Sequence, residues 1–237
     1  MFLRLHAFHS CMFRVQKVLA NRGFCSRRKA EELIESGRVL IDGKRVVLGS
    51  SCALEAEITV DGSPVPVPRT VYYAYYKPVG VQTSLSDAHT ADLSSLLSQL
   101  GSRVVPAGRL DMDAEGLLLL SNDGDFVHRV MHPSFEKKKT YHATLSVPVT
   151  KQHLKQLSRG VTLRDGFVAV FGASKIDSHT VSISLIEGRN KIVKRLLRKV
   201  TQGTVTRLVR TQIGSVSLGT LRPGEYRLLT ASEQASF

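Results

Sequence analysis

The sequence predicts an α+β protein built as a small helix-helix-hairpin domain followed by a larger domain with a mixed or antiparallel sheet. Three observations carry that expectation. The first fifty residues pass from helical to alternating hydrophobic spacing around one tight turn, Asp42-Gly43. A proline-spaced segment, Gly62-Ser63-Pro64-Val65-Pro66-Val67-Pro68, then reads as a stiff linker. Beyond it, strand-like runs outnumber helical ones. At 237 residues and 42% hydrophobic content, the chain can bury the core of one large or two modest domains.

The front domain is expected over residues 14–60. Val15, Val18 and Leu19 oppose Arg14, Lys17 and Arg22 on a short amphipathic helix stopped by Gly23. Ser26 is the N-cap of a second helix, with Lys29 where a capping box would carry Glu and with Ala30, Leu33 and Ile34 as its apolar stripe. Residues 38–41 and 44–47 then form the two arms of the hairpin. In the second domain, expected over 70–237, strands are predicted at 71–76, 104–106, 117–121, 140–147, 168–176, 180–187 and 204–213. Helices are predicted near 90–100, 125–131, 150–159 and 190–201.

Lys and Arg number 33 against 20 Asp and Glu, a formal charge of +13 that favours a polyanionic partner, nucleic acid before membrane. No run of about 18 apolar residues is present to span a bilayer, and residues 1–13 make a poor signal peptide, so a cytoplasmic protein is expected. Met12 reads as an alternative start, which would make residues 1–11 a tail. Cys11, Cys25 and Cys52 are odd in number and lack Cys-x-x-Cys spacing, which supports neither a disulfide framework nor a zinc site, and Cys25 reads as a buried small apolar residue.

The segment Gly108-Arg109-Leu110-Asp111-Met112-Asp113-Ala114-Glu115-Gly116 runs into Leu117-Leu118-Leu119-Leu120. A polar loop feeding a buried strand holds Asp111 against an apolar wall, where its carboxylate requires a cation or several donors. Two other segments hold polar groups that can converge on it: Lys137-Lys138-Lys139-Thr140-Tyr141, whose tyrosine can face a base, and Glu187-Gly188-Arg189-Asn190-Lys191-Ile192-Val193-Lys194-Arg195, a turn entering a basic helix. Lys194 is a candidate for the cation. A calcium loop is a rival for Asp111, Asp113 and Glu115, but the twelfth position is Asn122 rather than a bidentate Glu and the flanks are strand-like, so no metal is expected. His128 and His132 share a helical face without a third ligand nearby, which favours a structural or RNA-facing role.

From Arg14 to about residue 60 the chain resembles the S4 RNA-binding domain, which implies that Arg14, Lys17, Arg22, Arg27, Arg28, Lys29, Arg38 and Lys44 meet RNA phosphates. The rest resembles the pseudouridine synthases of the RsuA and RluB type through Lys77-Pro78-Val79-Gly80, Gly108-Arg109-Leu110-Asp111, Lys139-Thr140-Tyr141, Glu187-Gly188-Arg189-Asn190 with Val193-Lys194-Arg195, and the closing Arg207-Leu208-Val209-Arg210 and Ile213-Gly214. Ile192 departs from the polar residue common in relatives at its place. The resemblance implies isomerisation of a uridine within rRNA: the C1′–N1 bond breaks, the uracil turns, and C1′ rejoins at C5, without cofactor or metal. Asp111 would be the essential residue, attacking C1′ or C6 or removing the 2′ proton. Lys194 would neighbour it and keep it charged, Tyr141 would stack on the base, and Arg109 would hold the flipped nucleotide. Asn122, Arg189, Asn190 and Arg195 complete the expected substrate contacts. Gly188-Arg189-Asn190 points to large-subunit (23S) rRNA, with small-subunit (16S) rRNA or a noncatalytic assembly factor as alternatives. A monomer working on rRNA, within a pre-ribosomal particle or outside it, is the expected assembly.

Overall fold

The computed structural model describes residues 12–83, 92–100 and 103–237. The expectations for residues 1–11, Cys11 among them, fall outside these. The chain divides between Thr70 and Val71 into two compact units.

In the first unit, β1 (Phe13–Arg14) leads into α1 (Val15–Asn21) and α2 (Arg27–Glu35), followed by β2 (Val39–Ile41), β3 (Lys44–Arg45), β4 (Ser51–Cys52), β5 (Ile58–Val60) and β6 (Ser63–Pro64). The helices form where the apolar spacing places them. Val15, Val18 and Leu19 of α1 pack on Ala30, Leu33 and Ile34 of α2, with Val39 and Ile58 beneath. Full burial of each large aliphatic side chain here stabilises by about 1.5–3 kcal/mol. The Ser26 side chain accepts from the Lys29 amide at 3.2 Å and caps α2 as expected. Asp42 and Gly43 both adopt positive φ, 48° and 75°, as a two-residue hairpin turn of primed type requires. Two expectations need correction. Ser63 and Pro64 are not linker but an edge strand on β5, continued by Val65, whose amide donates to Ile58 O at 2.8 Å. Proline is tolerated there because an edge position leaves no ladder bond to lose. Cys25 is only half-buried, while Cys52 is the buried thiol.

The second unit comprises β7 (Tyr72–Lys77), α3 (Ser94–Gln99), β8 (Val105–Pro106), β9 (Glu115–Ser121), α4 (Gly124–Met131), β10 (Lys139–Leu145), α5 (Lys151–Ser158), β11 (Val161–Leu163), β12 (Gly166–Val168), β13 (Gly172–Lys175), β14 (Thr180–Leu185), α6 (Ile192–Thr201), β15 (Val205–Ile213), β16 (Val216–Ser217), β17 (Tyr226–Leu228) and α7 (Ala231–Ala235). Its main sheet runs β13-β14-β10-β15-β9-β7-β17, with β8 added to β9 and β16 to β15. Strands β15 and β9 pair in parallel and their neighbours antiparallel, so the fold is α+β with a mixed sheet. The leucine run explains why β9 sits at the centre. Leu117 and Leu119 face Phe126 and Val130 of α4, and Leu118 and Leu120 face Tyr75, Leu93 and Leu96, so both faces of the strand are buried.

The strand expected at 168–176 is two strands, because the chain changes partners between Val168, which pairs with Val161, and Gly172, which joins β14. Helix α7 was not anticipated, although Thr230 and Glu233 form a reciprocal capping box that announces it.

Candidate active site

Asp111 lies in the loop entering β9, and the loop is held from several sides. Ala114 N donates to Asp111 O at 3.1 Å, and Gly80 N donates to Met112 O at 2.8 Å. Thr83 braces Leu110 twice, its hydroxyl donating to Leu110 O at 2.8 Å and accepting from Leu110 N at 3.2 Å. The half-buried Asp111 borders a cleft of about 300 Å³ together with Arg109, Lys139, Tyr141, Asn190 and Arg210. Two segments far apart in sequence thus meet the loop as expected.

The floor of the cleft comes from β10 and β15. A β-bulge after Thr140 shifts the register so that Tyr141 stands opposite Arg210. Tyr141 is buried to 7% exposure and Arg210 to 2%. The Arg210 guanidinium is wired into the loop and its strand: Nε donates to Leu117 O at 2.7 Å and Nη1 to Arg109 O at 3.2 Å, while the buried Nη2 has no hydrogen-bond partner. The Arg210 backbone passes so close to Gly116 that a Cβ there would lie 2.4 Å from Arg210 O, and Gly116 has φ +107°. A side chain at position 116 is excluded twice over.

Two lysines add positive charge near Arg210, Lys77 buried and Lys139 half-buried. Lys77, with no exposed surface, donates to Pro78 O at 2.8 Å and Val81 O at 2.7 Å. Burial, then the charge of Arg210, push its pKa down to about 8, with Asp111 opposing the shift. Lys139, two residues before Tyr141, donates to Ile186 O at 3.2 Å. Burial and Arg210 lower its pKa to about 8 as well. Sequence reasoning assigned no role to Lys77, Lys139 or Arg210. The available signal was the alternation: Lys139 is at i, i+2 from Tyr141, and Arg210 is at i, i+2 from the buried Leu208, so charged residues sit on buried strand faces.

Other expected residues are placed differently. Lys194 reaches Asp113, with Nζ to Oδ2 at 2.6 Å, rather than Asp111, and it does not border the cleft. This pair holds the Asp113 carboxyl below its usual range. Asn122 lies beyond the far end of β9, about 20 Å of strand from the loop, where its Oδ1 accepts from Val71 N at 2.9 Å. Arg195 clamps Asp165 with both terminal nitrogens, at 2.8 and 2.9 Å, facing the β11-β12 hairpin. Arg189 borders the cleft but its guanidinium is tied to Glu187 at 2.6 Å, Asp165 O at 2.6 Å and Phe167 O at 2.9 Å, which makes it a strut for the cleft wall. Asn190 borders the cleft, and its carbonyl accepts from Arg195 at 3.0 Å.

In the first unit, Arg27 and Arg28 at the start of α2 and Lys44 in the hairpin are exposed. Lys29 pairs with Glu32 at 2.7 Å, Arg38 pairs with Asp61, Arg14 donates to Gly49 O, and the Lys17 ammonium lies 4.5 Å from the centre of the Phe13 ring. Arg22 departs from the expected phosphate contact. It is buried and donates to Val65 O at 2.9 Å and to Leu54 O and Ala56 O at 2.6 Å, holding loops of the unit together.

Residues 71–199 match the family model described as RNA pseudouridylate synthase, and residues 13–49 match the S4 domain. The chain belongs to the RNA pseudouridylate synthase family. It is a pseudouridine synthase of the RsuA and RluB type with an S4 domain in front, an isomerase acting on uridine in RNA. An uncharacterized RNA pseudouridine synthase of Mycobacterium bovis is 42% identical over 231 residues, covering 93% of this chain and 91% of its own. The ribosomal large subunit pseudouridine synthase B of Bacillus subtilis is 37% identical over 230 residues, 94% of each chain. A crystal structure of a pseudouridylate synthase superposes with a TM-score of 0.69 at 30% identity, over 94% of this chain and 99% of that one. Among the described residues, no helix of this synthase is long and apolar enough to cross a membrane.

Proposed function

We propose that this synthase converts a uridine of large-subunit rRNA to pseudouridine in the cytoplasm, acting as a monomer with Asp111 as its essential residue. The observation that carries the site assignment is the convergence of the Asp111 loop with Tyr141, the buried Arg210 and the half-buried Lys139 around one cleft. Similarity to the Bacillus subtilis enzyme named for the large subunit supports the substrate.

The chemistry follows from the layout. A uridine must leave its stack to enter the cleft, at a cost of a few kcal/mol, which the face of Tyr141 and the basic S4 surface offset. Breaking the C1′–N1 bond leaves its electron pair on the uracil, so negative charge develops on the base. Buried guanidinium and ammonium groups already fixed by backbone carbonyls stabilise that charge without reorganising. The Asp111 carboxylate serves as nucleophile or base, adding to C1′ of the ribose or to C6 of the uracil, or accepting the 2′ proton. The atoms of substrate and product are the same, so the reaction consumes no co-substrate. Arg109, exposed at the rim, meets the flanking backbone. Lys194 acts at one remove, fixing Asp113 and with it the loop that presents Asp111.

Pseudouridine mapping of rRNA from cells with the wild-type protein or Asp111→Asn tests the reading. Loss of one large-subunit pseudouridine supports it; loss of a small-subunit one reassigns the substrate, and an unchanged map promotes an RNA-holding assembly factor.

A further inference from the structure

Three exposed rings cluster at the end of α4, around a helix residue that lines the cleft, and have no part in the site described so far. His128 and His132, one turn apart on α4 and its C-cap, lie 5.0 Å between ring centres. Phe135 stands edge-on to both, at 5.6 and 6.4 Å. All three are exposed, Phe135 at 41%. Between the histidines in sequence is Met131, 49% exposed, which lines the cleft alongside Gly108 and Arg109. Exposed rings next to an RNA-modifying site are suited to stacking, and every base offers a π face.

We propose that His128, His132 and Phe135 form a stacking platform for an unpaired base next to the target uridine, a subsite outside the cleft that takes a neighbouring nucleotide as the uridine turns inward. This rests on the RNA-uridine reading of the cleft. The occupant is an RNA base because Met131, which lies between the two histidines in sequence, lines the cleft, and flipping one nucleotide unstacks its neighbours, which then need a new face. The His132 ring is held in place before any RNA arrives. Its Nδ1 accepts from Ser134 N at 3.3 Å and lies 2.8 Å from Ser134 Oγ, which fixes the ring on the turn after α4.

The chain contains no tryptophan, so Phe135→Trp installs a single fluorescent reporter in the platform. Titrating the full-length variant with unmodified large-subunit and small-subunit rRNA transcripts should quench that tryptophan over the range in which filter binding shows complex formation. In parallel, His128→Gln/His132→Asn/Phe135→Leu should raise KM for the converted transcript by roughly fivefold to a hundredfold, the loss falling on KM rather than kcat. His132→Asn keeps a side-chain acceptor for Ser134 N, and an unchanged melting curve shows that the turn survives. A transcript that is bound and converted while the tryptophan stays unquenched overturns the platform and leaves the catalytic reading standing. So does a triple variant whose KM is unmoved. Failure of the wild-type protein to convert either transcript counts against the catalytic reading instead.

Discussion

Basic side chains do opposite kinds of work in the two units. At the front of the S4 unit, Arg27, Arg28 and Lys44 stand in water, where a cation costs little to keep and attracts a polyanion only through screened, salt-dependent forces. In the synthase unit, Lys77 and Arg210 are buried, Lys139 is half-buried, and all three are held by backbone carbonyls. Their charge is set before substrate arrives, which is why burial and mutual repulsion depress both lysines. Sequence position alone does not sort the two kinds. Arg22 belongs to the basic front unit yet is buried on three carbonyls like a synthase cation. Burial and carbonyl ligation, not local charge density, separate the cations fixed inside the protein from those that stand in water.

The largest expected effect that would break this distinction belongs to Arg210→Met. Loss of a preorganised donor at the floor should lower kcat by about a hundredfold to a thousandfold. The two orphaned carbonyls should lower stability by about 1–3 kcal/mol each in denaturant titrations. A rate within threefold of wild type would place Arg210 among the merely structural cations. Next comes Arg22→Met, expected to destabilise the protein by about 1–3 kcal/mol for each carbonyl it leaves unpaired while leaving the salt dependence of RNA binding as it was. A reduced salt slope with intact stability would return Arg22 to the phosphate-binding set.

A pH series sharpens the account of the lysines. Lys77 has a folded pKa near 8 against an ordinary 10.5. Below about pH 8 it is charged in folded and unfolded chains alike, and the desolvation cost is fully present. Between about pH 8 and 10.5 the unfolded chain still holds the proton that the folded one has released, so this lysine makes stability rise with pH across that window. Urea midpoints measured across it should rise less in Lys77→Met than in wild type; equal slopes would mean that burial imposes no such cost. The smallest effect is expected from Arg27→Ala with Arg28→Ala. RNA affinity should fall several-fold, with the slope of log affinity against log salt reduced by about one per lost phosphate contact. Melting temperature and kcat at saturating RNA should stay put.

Much of this was legible in the sequence where the information is local. The leucine run specified a doubly buried strand, Asp42-Gly43 a hairpin, Ser26 a cap, and the Asp111 and Tyr141 segments the walls of one cleft. What escaped depends on register and on partners distant in sequence. Arg210 reaches the floor because a bulge re-phases β15 against β10, and no spacing in either strand announces that bulge. Lys194 is at the right helix start, but choosing between Asp111 and Asp113, two residues apart in one loop, takes the course of the backbone. Asn122 follows the Asp111 loop closely in sequence and is carried a whole strand away from it.

The most direct test of the central claim is a single-turnover assay of tritium release from RNA labelled at uridine C5, run with wild-type protein and Asp111→Asn while RNA binding is measured in parallel. The C5 hydrogen is lost when C1′ rejoins at C5, so release reports the isomerisation itself. The account predicts release by the wild type and none detectable from Asp111→Asn at unchanged affinity; release by Asp111→Asn at the wild-type rate would contradict it.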